Sequence, residues 1–148
     1  MQEAQRRLGG VMGSDGSAIG PAWLCLTGGD SAGPWVLWLT SYDIDGGNVG
    51  SFEWERLAAG TRFDARCHTL PAGPATVRLP LPMRLGTART EVEHLLGKPS
   101  ASRGQTAFYL YEHALTLGHE PSTADNSVGV VYSDGKVRLL TADWLISS

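Results

Sequence analysis

The dipeptide Asp134-Gly135, set between the apolar runs Val128 to Tyr132 and Lys136 to Leu140, constrains this chain more than any other feature. An Asp-Gly connection tolerates positive φ at both central positions and matches the twist of a two-stranded ribbon, so these runs are committed to an antiparallel hairpin. Upstream, Ala88, Val92, Leu95 and Leu96 recur at helical spacing. Thr87 is the expected N-cap, with Glu91 and Glu93 near the positive end of the helix dipole. Gly97 supplies a left-handed stop and Pro99 forbids continuation. Ala107 to Tyr111 alternates, placing Phe108 and Leu110 on one side of a strand and Tyr109 and Tyr111 on the other. Residues Met83 to Trp144 thus read as helix, strand, strand, strand.

The first half is strand-rich. Ala22 to Thr27 and Trp35 to Ile44 are β-prone runs separated by Gly28 to Pro34, which predicts a hairpin. Asp45-Gly46-Gly47-Asn48 turns the chain into Val49 to Leu57, where Phe52 and Trp54 alternate with Glu53 and Glu55 as in a half-buried strand. Thr61 to Thr69 and Ala75 to Leu81 are further candidate strands, the latter confined to an edge by Pro80 and Pro82. The 19 Gly and 8 Pro agree with many turns and short strands. The expected class is α+β: an antiparallel β-sheet with one or two short helices packed on one face. Residues 1–20 form a flexible N-terminal segment with a short helix, from Glu3 to Leu8. Residues 21–148 form one domain, mostly β over 21–82 and helix plus antiparallel strands over 83–148. The halves share a similar order of elements, as a decayed tandem repeat would, although their spacings do not match.

The run Leu85-Gly86-Thr87-Ala88-Arg89-Thr90-Glu91-Val92, followed by Leu95-Leu96-Gly97-Lys98-Pro99 and by Tyr109-Leu110-Tyr111, resembles the SmpA/OmlA family of small outer-membrane lipoproteins. The similarity covers Leu81 to Leu140. It implies a β-lactamase-inhibitor-protein-like fold, with a capped helix on an antiparallel sheet. It also implies a protein that works by binding other proteins, as an envelope-assembly accessory or an enzyme inhibitor, and is not an enzyme. The family's usual N-cap Thr position holds Ala88 here, and no lipid-accepting Cys precedes the matching region.

Composition narrows the classes of function. The formal charge of -3, with ten Arg and two Lys scattered, gives no clustered basic face for nucleic acid. No apolar run approaches the roughly 20 residues a transmembrane helix needs. Met1 to Leu8 has no apolar signal core, so the expected location is periplasmic or envelope-associated if a targeting segment has been removed, and cytoplasmic otherwise. Cys25 and Cys67 are a disulfide candidate that would favour an oxidising compartment; two ordinary buried thiols are the alternative.

Gly29-Asp30-Ser31-Ala32-Gly33 matches the G-x-S-x-G pattern of α/β-hydrolases and the nucleophile segment of trypsin-like proteases. A hydrolase elbow needs a helix after the Ser, whereas Pro34 to Trp38 continues as strand. A trypsin-like enzyme needs its His before the Ser, and all four His follow Ser31. The segment reads as a Gly-rich hairpin loop, with a small serine hydrolase as the remote alternative. His68, His94, His113 and His119 show no metal spacing, and neither metal nor cofactor is implied.

The expected partner is another protein, an envelope component or a toxin or enzyme. Trp38 and Tyr42 share one face of their strand while Trp35, Leu37 and Leu39 occupy the other, so one apolar face is left to be covered or to bind. Either Tyr109, Tyr111 and Arg138 extend that surface, Trp, Tyr and Arg being the types that dominate binding hot spots, or Trp38 is core and the tyrosines are ordinary cross-strand neighbours. Asp43, Asp45, Glu53 and Glu55 form an acidic hairpin that reads first as a solvated strand face and turn, and otherwise as a site for a cation or a basic partner, as in an immunity protein facing a toxin's basic active site. Oligomeric state is not legible.

Overall fold

The protein is described from a computed structural model covering residues 1–14, 16, 20–42, 48–71, 81–117 and 120–147. Among the described residues it is an α+β chain of mostly antiparallel strands with two short helices, divided into two compact units, Met1–Pro82 and Met83–Ser148. Among the described residues no helix is long and apolar enough to cross a membrane.

In the first unit, α1 (Gln2–Leu8) is stopped at Gly9, whose φ of 79° a side chain would oppose. Four antiparallel strands follow in the order β1 (Gly13–Ser14), β2 (Ala22–Asp30), β3 (Gly33–Ser41) and β4 (Ser51–Arg56). β5 (His68–Thr69) joins β2 in parallel, on the edge it also offers to β1. The Gly28 to Pro34 loop expected from the sequence is shorter than anticipated: β2 and β3 run on to an Asp30–Gly33 pair, leaving only Ser31 and Ala32 as the turn. Asp30 Oδ1 accepts the Ala32 N–H at 2.8 Å, and both Asp30 oxygens accept from Arg56. The tight turn is thus held from within by Asp30 and from β4 by Arg56.

Period-two alternation sorts the residues of β3. Trp35, Leu37 and Leu39 are buried with Leu24, Leu26, Phe52 and Trp54 in the core of this unit. There Trp35 and Trp54 meet edge to face, with ring centres 5.9 Å apart. The opposite face carries Val36, Trp38 and Thr40, with Cys25, Glu53 and Glu55 as cross-strand neighbours.

The expected strand from Thr61 to Thr69 survives only as its last two residues. Thr61 Oγ1 donates to the Ala58 carbonyl, and Asp64 accepts the backbone and side-chain N–H of Arg66, so local bonds hold the segment in turns rather than in a ladder. It is tied down covalently instead. Cys25, fully buried, and Cys67 are joined by a disulfide with their Cα atoms 4.5 Å apart. Beside it Thr27 and Thr69 meet through their hydroxyls at 3.1 Å. Residues 43–47, which include Asp43, Asp45 and part of the expected Gly-rich turn, lie outside the described residues, as does nearly all of Ala75 to Leu81.

The second unit contains α2 (Arg89–Leu96) and four antiparallel strands in the order β6 (Ala101–Arg103), β7 (Thr106–Leu117), β8 (Glu120–Ser133) and β9 (Lys136–Ser147). Asp134 and Gly135 form the β8–β9 turn with φ of 51° and 72°. That is the positive pair a type I′ connection demands. The N-cap of α2 is Ala88, not Thr87. Thr87 Oγ1 accepts the Arg84 N–H, closing the preceding turn, and the Arg89 N–H is taken by the Gly135 carbonyl. A hairpin carbonyl thus satisfies a helix-terminal donor for which the sequence offers a hydroxyl. At the other end Gly97 has φ of 81° and returns its N–H to Glu93. The apolar stripe is narrower than its spacing suggests: Val92 is fully buried, whereas Leu95 is exposed and Ala88 is at the surface.

In the chain-entropy picture a disulfide closing a loop of 42 residues stabilises the fold by about 4 kcal/mol. The double variant Cys25→Ala/Cys67→Ala is therefore expected to lose roughly that much in urea unfolding, with α2 and the β8–β9 hairpin retaining their circular dichroism. An unchanged midpoint would mean that the turns of residues 58–67 hold the segment without the bond.

Candidate functional site

The second face of the first sheet bears an aromatic and cationic platform. Trp23 stands diagonally across the β2–β3 ladder from Trp38, since Cys25 is opposite Trp38 and Trp23 is opposite Thr40. The two rings meet edge to face, their centres 5.6 Å apart and their planes at 69°. Gly13 makes room for this arrangement, because a Cβ there would run into the Trp23 ring. Over both rings lies the Arg66 guanidinium, 5.1 Å from the centre of Trp23 and 5.9 Å from that of Trp38. Both distances are within the range of a cation–π contact.

Arg66 precedes Cys67, so the disulfide that pins the segment also sets the reach of the guanidinium. Asp64 fixes its orientation through a paired contact, with bonds of 2.9 and 2.5 Å to Nε and Nη2. The same contact holds the Asp64 carboxyl down at about 2, through the Arg66 side-chain bond first and the Arg66 backbone N–H second. Both tryptophans are half-buried and Arg66 is 61 % exposed, so the platform presents rings and charge to solvent from a rigid base.

Glu53 and Glu55 border the platform on β4, opposite Trp38 and Val36. The Glu53 carboxyl is raised above its ordinary 4.5, by partial burial first and by the neighbouring Glu55 charge second. Tyr42, 54 % exposed, continues the same face, its hydroxyl 3.2 Å from Ser51 Oγ.

The structure divides the other expected site residues. Tyr109 and Tyr111 do not lie on an outward aromatic surface. The helix-bearing side of the second unit claims them: Tyr109 is buried with Val92, Val130 and Leu140, and the half-buried Tyr111 donates from its hydroxyl to the Leu96 carbonyl at 3.2 Å. Strand parity separates these tyrosines from Phe108 and Leu110 correctly, but it carries no information on which side receives the helix. Phe108 and Leu110 are therefore the exposed pair. Arg138 is half-buried at the register irregularity between β8 and β9. The hydroxyls of Tyr109 and Tyr132 are buried with no hydrogen bond of ordinary length, and Arg89 stacks on the Tyr132 ring at 5.2 Å while pairing with Glu93. Burial, then Tyr109, pushes the Tyr132 hydroxyl well above its usual range.

Ser31 stands at the tip of the β2–β3 turn and β3 follows it directly, so the strand–turn–helix of a nucleophile elbow is not formed there. Among the described residues no group of three His, Cys, Asp or Glu side chains is placed to hold a metal ion. Trp23 and Arg66 are functional candidates that sequence reasoning does not single out. Their only signal is covalent: Trp23 lies two residues before Cys25, and Arg66 one before Cys67, so a disulfide brings them to one face. No family model, characterised protein or solved structure matches the chain.

A group whose carboxyl is raised in the fold favours its protonated form, so Glu53 contributes most below its unfolded value and this contribution is lost as pH rises through the folded one. Glu53→Gln is accordingly expected to raise Tm at neutral pH, with the difference shrinking as pH falls toward 4.5. A pH-independent difference in scanning calorimetry would assign the effect to packing.

Proposed function

We propose that this chain is a non-enzymatic protein-binding module that engages its partner through the Trp23–Trp38–Arg66 platform. The carrying observation is the stack itself: two tryptophans stand on one face of the β2–β3 ladder, and a disulfide brings an arginine over them. These are the residue types most enriched at binding hot spots. Rings positioned in advance lose little conformational freedom on binding, so more of the contact energy reaches affinity. The disulfide also favours an oxidising compartment, which fits an envelope or periplasmic role. The SmpA/OmlA-like helix signature from Leu85 to Pro99 and the expected β-lactamase-inhibitor-protein-like fold accord with a scaffold that binds proteins.

A second reading, an immunity protein facing a basic active site, draws on Glu53 and Glu55. Partial burial first and the Glu55 charge second raise the Glu53 carboxyl, and a cationic partner would relieve that cost. The two readings differ in salt response, because rim charges act through screened electrostatics whereas stacked rings do not.

The test is capture from an envelope extract by photo-crosslinking from position 63, exposed and three residues before Arg66, followed by affinity measurement with the captured protein. Trp38→Ala and Arg66→Ala are each expected to cost about 2 kcal/mol, roughly thirty-fold in Kd, with near-ultraviolet circular dichroism retained. Full binding by both folded variants would refute the platform. A Kd that rises steeply with salt and with Glu53→Gln would favour the immunity reading.

A further inference from the structure

The open face of the second unit is polarised along its strands. Register places Arg103 of β6 level with Thr106, while Phe108 and Leu110 follow along β7 on the same face, 46 % and 61 % exposed. Beyond them Glu112 lies directly opposite Asp125 of β8, and Asp143 of β9 is level with Leu110, accepting from Ser127 at 3.3 Å. The bulge residue Arg138 falls at the Arg103 end. The face therefore runs from positive, through apolar, to negative. Two carboxylates opposed in one ladder destabilise a sheet, and an exposed apolar pair beside them is the kind of surface that marks an interface.

We propose that this face seats a second copy of the chain, related by a twofold axis that lies in the interface and runs across the strands. With the strands of the two copies in line, two symmetric ways exist to lay such a face on itself. An axis along the strands brings like ends together, carboxylates on carboxylates. An axis across the strands reverses their direction and sets the Arg103 end of each copy on the Glu112 and Asp125 end of the other. Charge selects the second. Centred level with Tyr109, that axis stacks Phe108 of each copy on Leu110 of the other and brings Arg103 within one strand spacing of Glu112 in the second copy. Each contact then occurs twice, as a closed isologous pair requires. The face thus carries both halves of its own complement, which favours a second copy over an unrelated basic protein. Every residue invoked here belongs to the second unit, so either inference can fail without the other.

The experiment is sedimentation velocity of the full chain over a concentration series at low and high salt. A reversible monomer–dimer equilibrium that weakens with salt is expected. Leu110→Asp, at an exposed position, should leave only monomer. Arg103→Glu and Glu112→Arg should each weaken dimerisation roughly ten-fold or more. An equimolar mixture of the two should recover the dimer, because each copy then offers the charge the other needs. A wild-type chain that stays monomeric at every concentration would overturn the proposal. So would a dimer indifferent to Leu110→Asp, a mixture that fails to recover, or association only with an added basic protein.

Discussion

A β-strand has two faces, and burying one against a core leaves the other to be dealt with. Both units of this chain answer to that constraint, in different ways. In the first, Trp35, Leu37 and Leu39 go inward, and the face bearing Trp38 is partly roofed by Arg66 and Cys67 on the returning chain. That roof has almost no ladder of its own, so a covalent bond substitutes for hydrogen bonding. In the second unit α2 covers the side of Tyr109, Val130 and Leu140, and the side of Phe108 and Leu110 is left bare.

Features written in local chemistry were legible before any coordinates. Asp134-Gly135 requires positive φ at adjacent residues and has it; Gly97 ends α2; the alternation of Phe52, Glu53, Trp54 and Glu55 sorts β4 as read. What escaped was set by tertiary partners. Thr87 has every local qualification of an N-cap, yet the Gly135 carbonyl reaches the Arg89 N–H from 46 positions along the chain, and no local window contains that competitor. Tyr109 and Phe108 are adjacent aromatics of equal standing in sequence, separated only by where a helix lands. Thr61 to Thr69 has strand-like composition, but Asp64 and Thr61 bond nearby backbone first.

Electrostatics and position work together at the platform. Asp64 keeps Arg66 in a fixed plane while that plane lies over two rings, so the guanidinium is oriented twice, once by an acid and once by aromatic faces. Glu53 sits close by with a carboxyl raised above its ordinary value, leaving the charge of this rim responsive to pH and to any cation that approaches. The buried hydroxyls of Tyr109 and Tyr132 are a different case. Polar atoms inside a core, without partners of ordinary geometry, set a cost that well-placed neighbours elsewhere in the unit must offset.

Gly28 and Gly129 tie distant positions of the chain into shared fates. A Cβ on Gly28 would run into the ring of Trp35, and one on Gly129 would stand 2.5 Å from Thr141 Oγ1 with Phe108 close behind. Each glycine is empty space that another side chain already occupies. In descent, therefore, Gly28 is free to change only in lineages where Trp35 has first become small, and Gly129 only where Thr141 has moved aside. Divergent descendants of this chain should carry these positions as linked pairs, a covariation produced by occupied volume and not by any ligand.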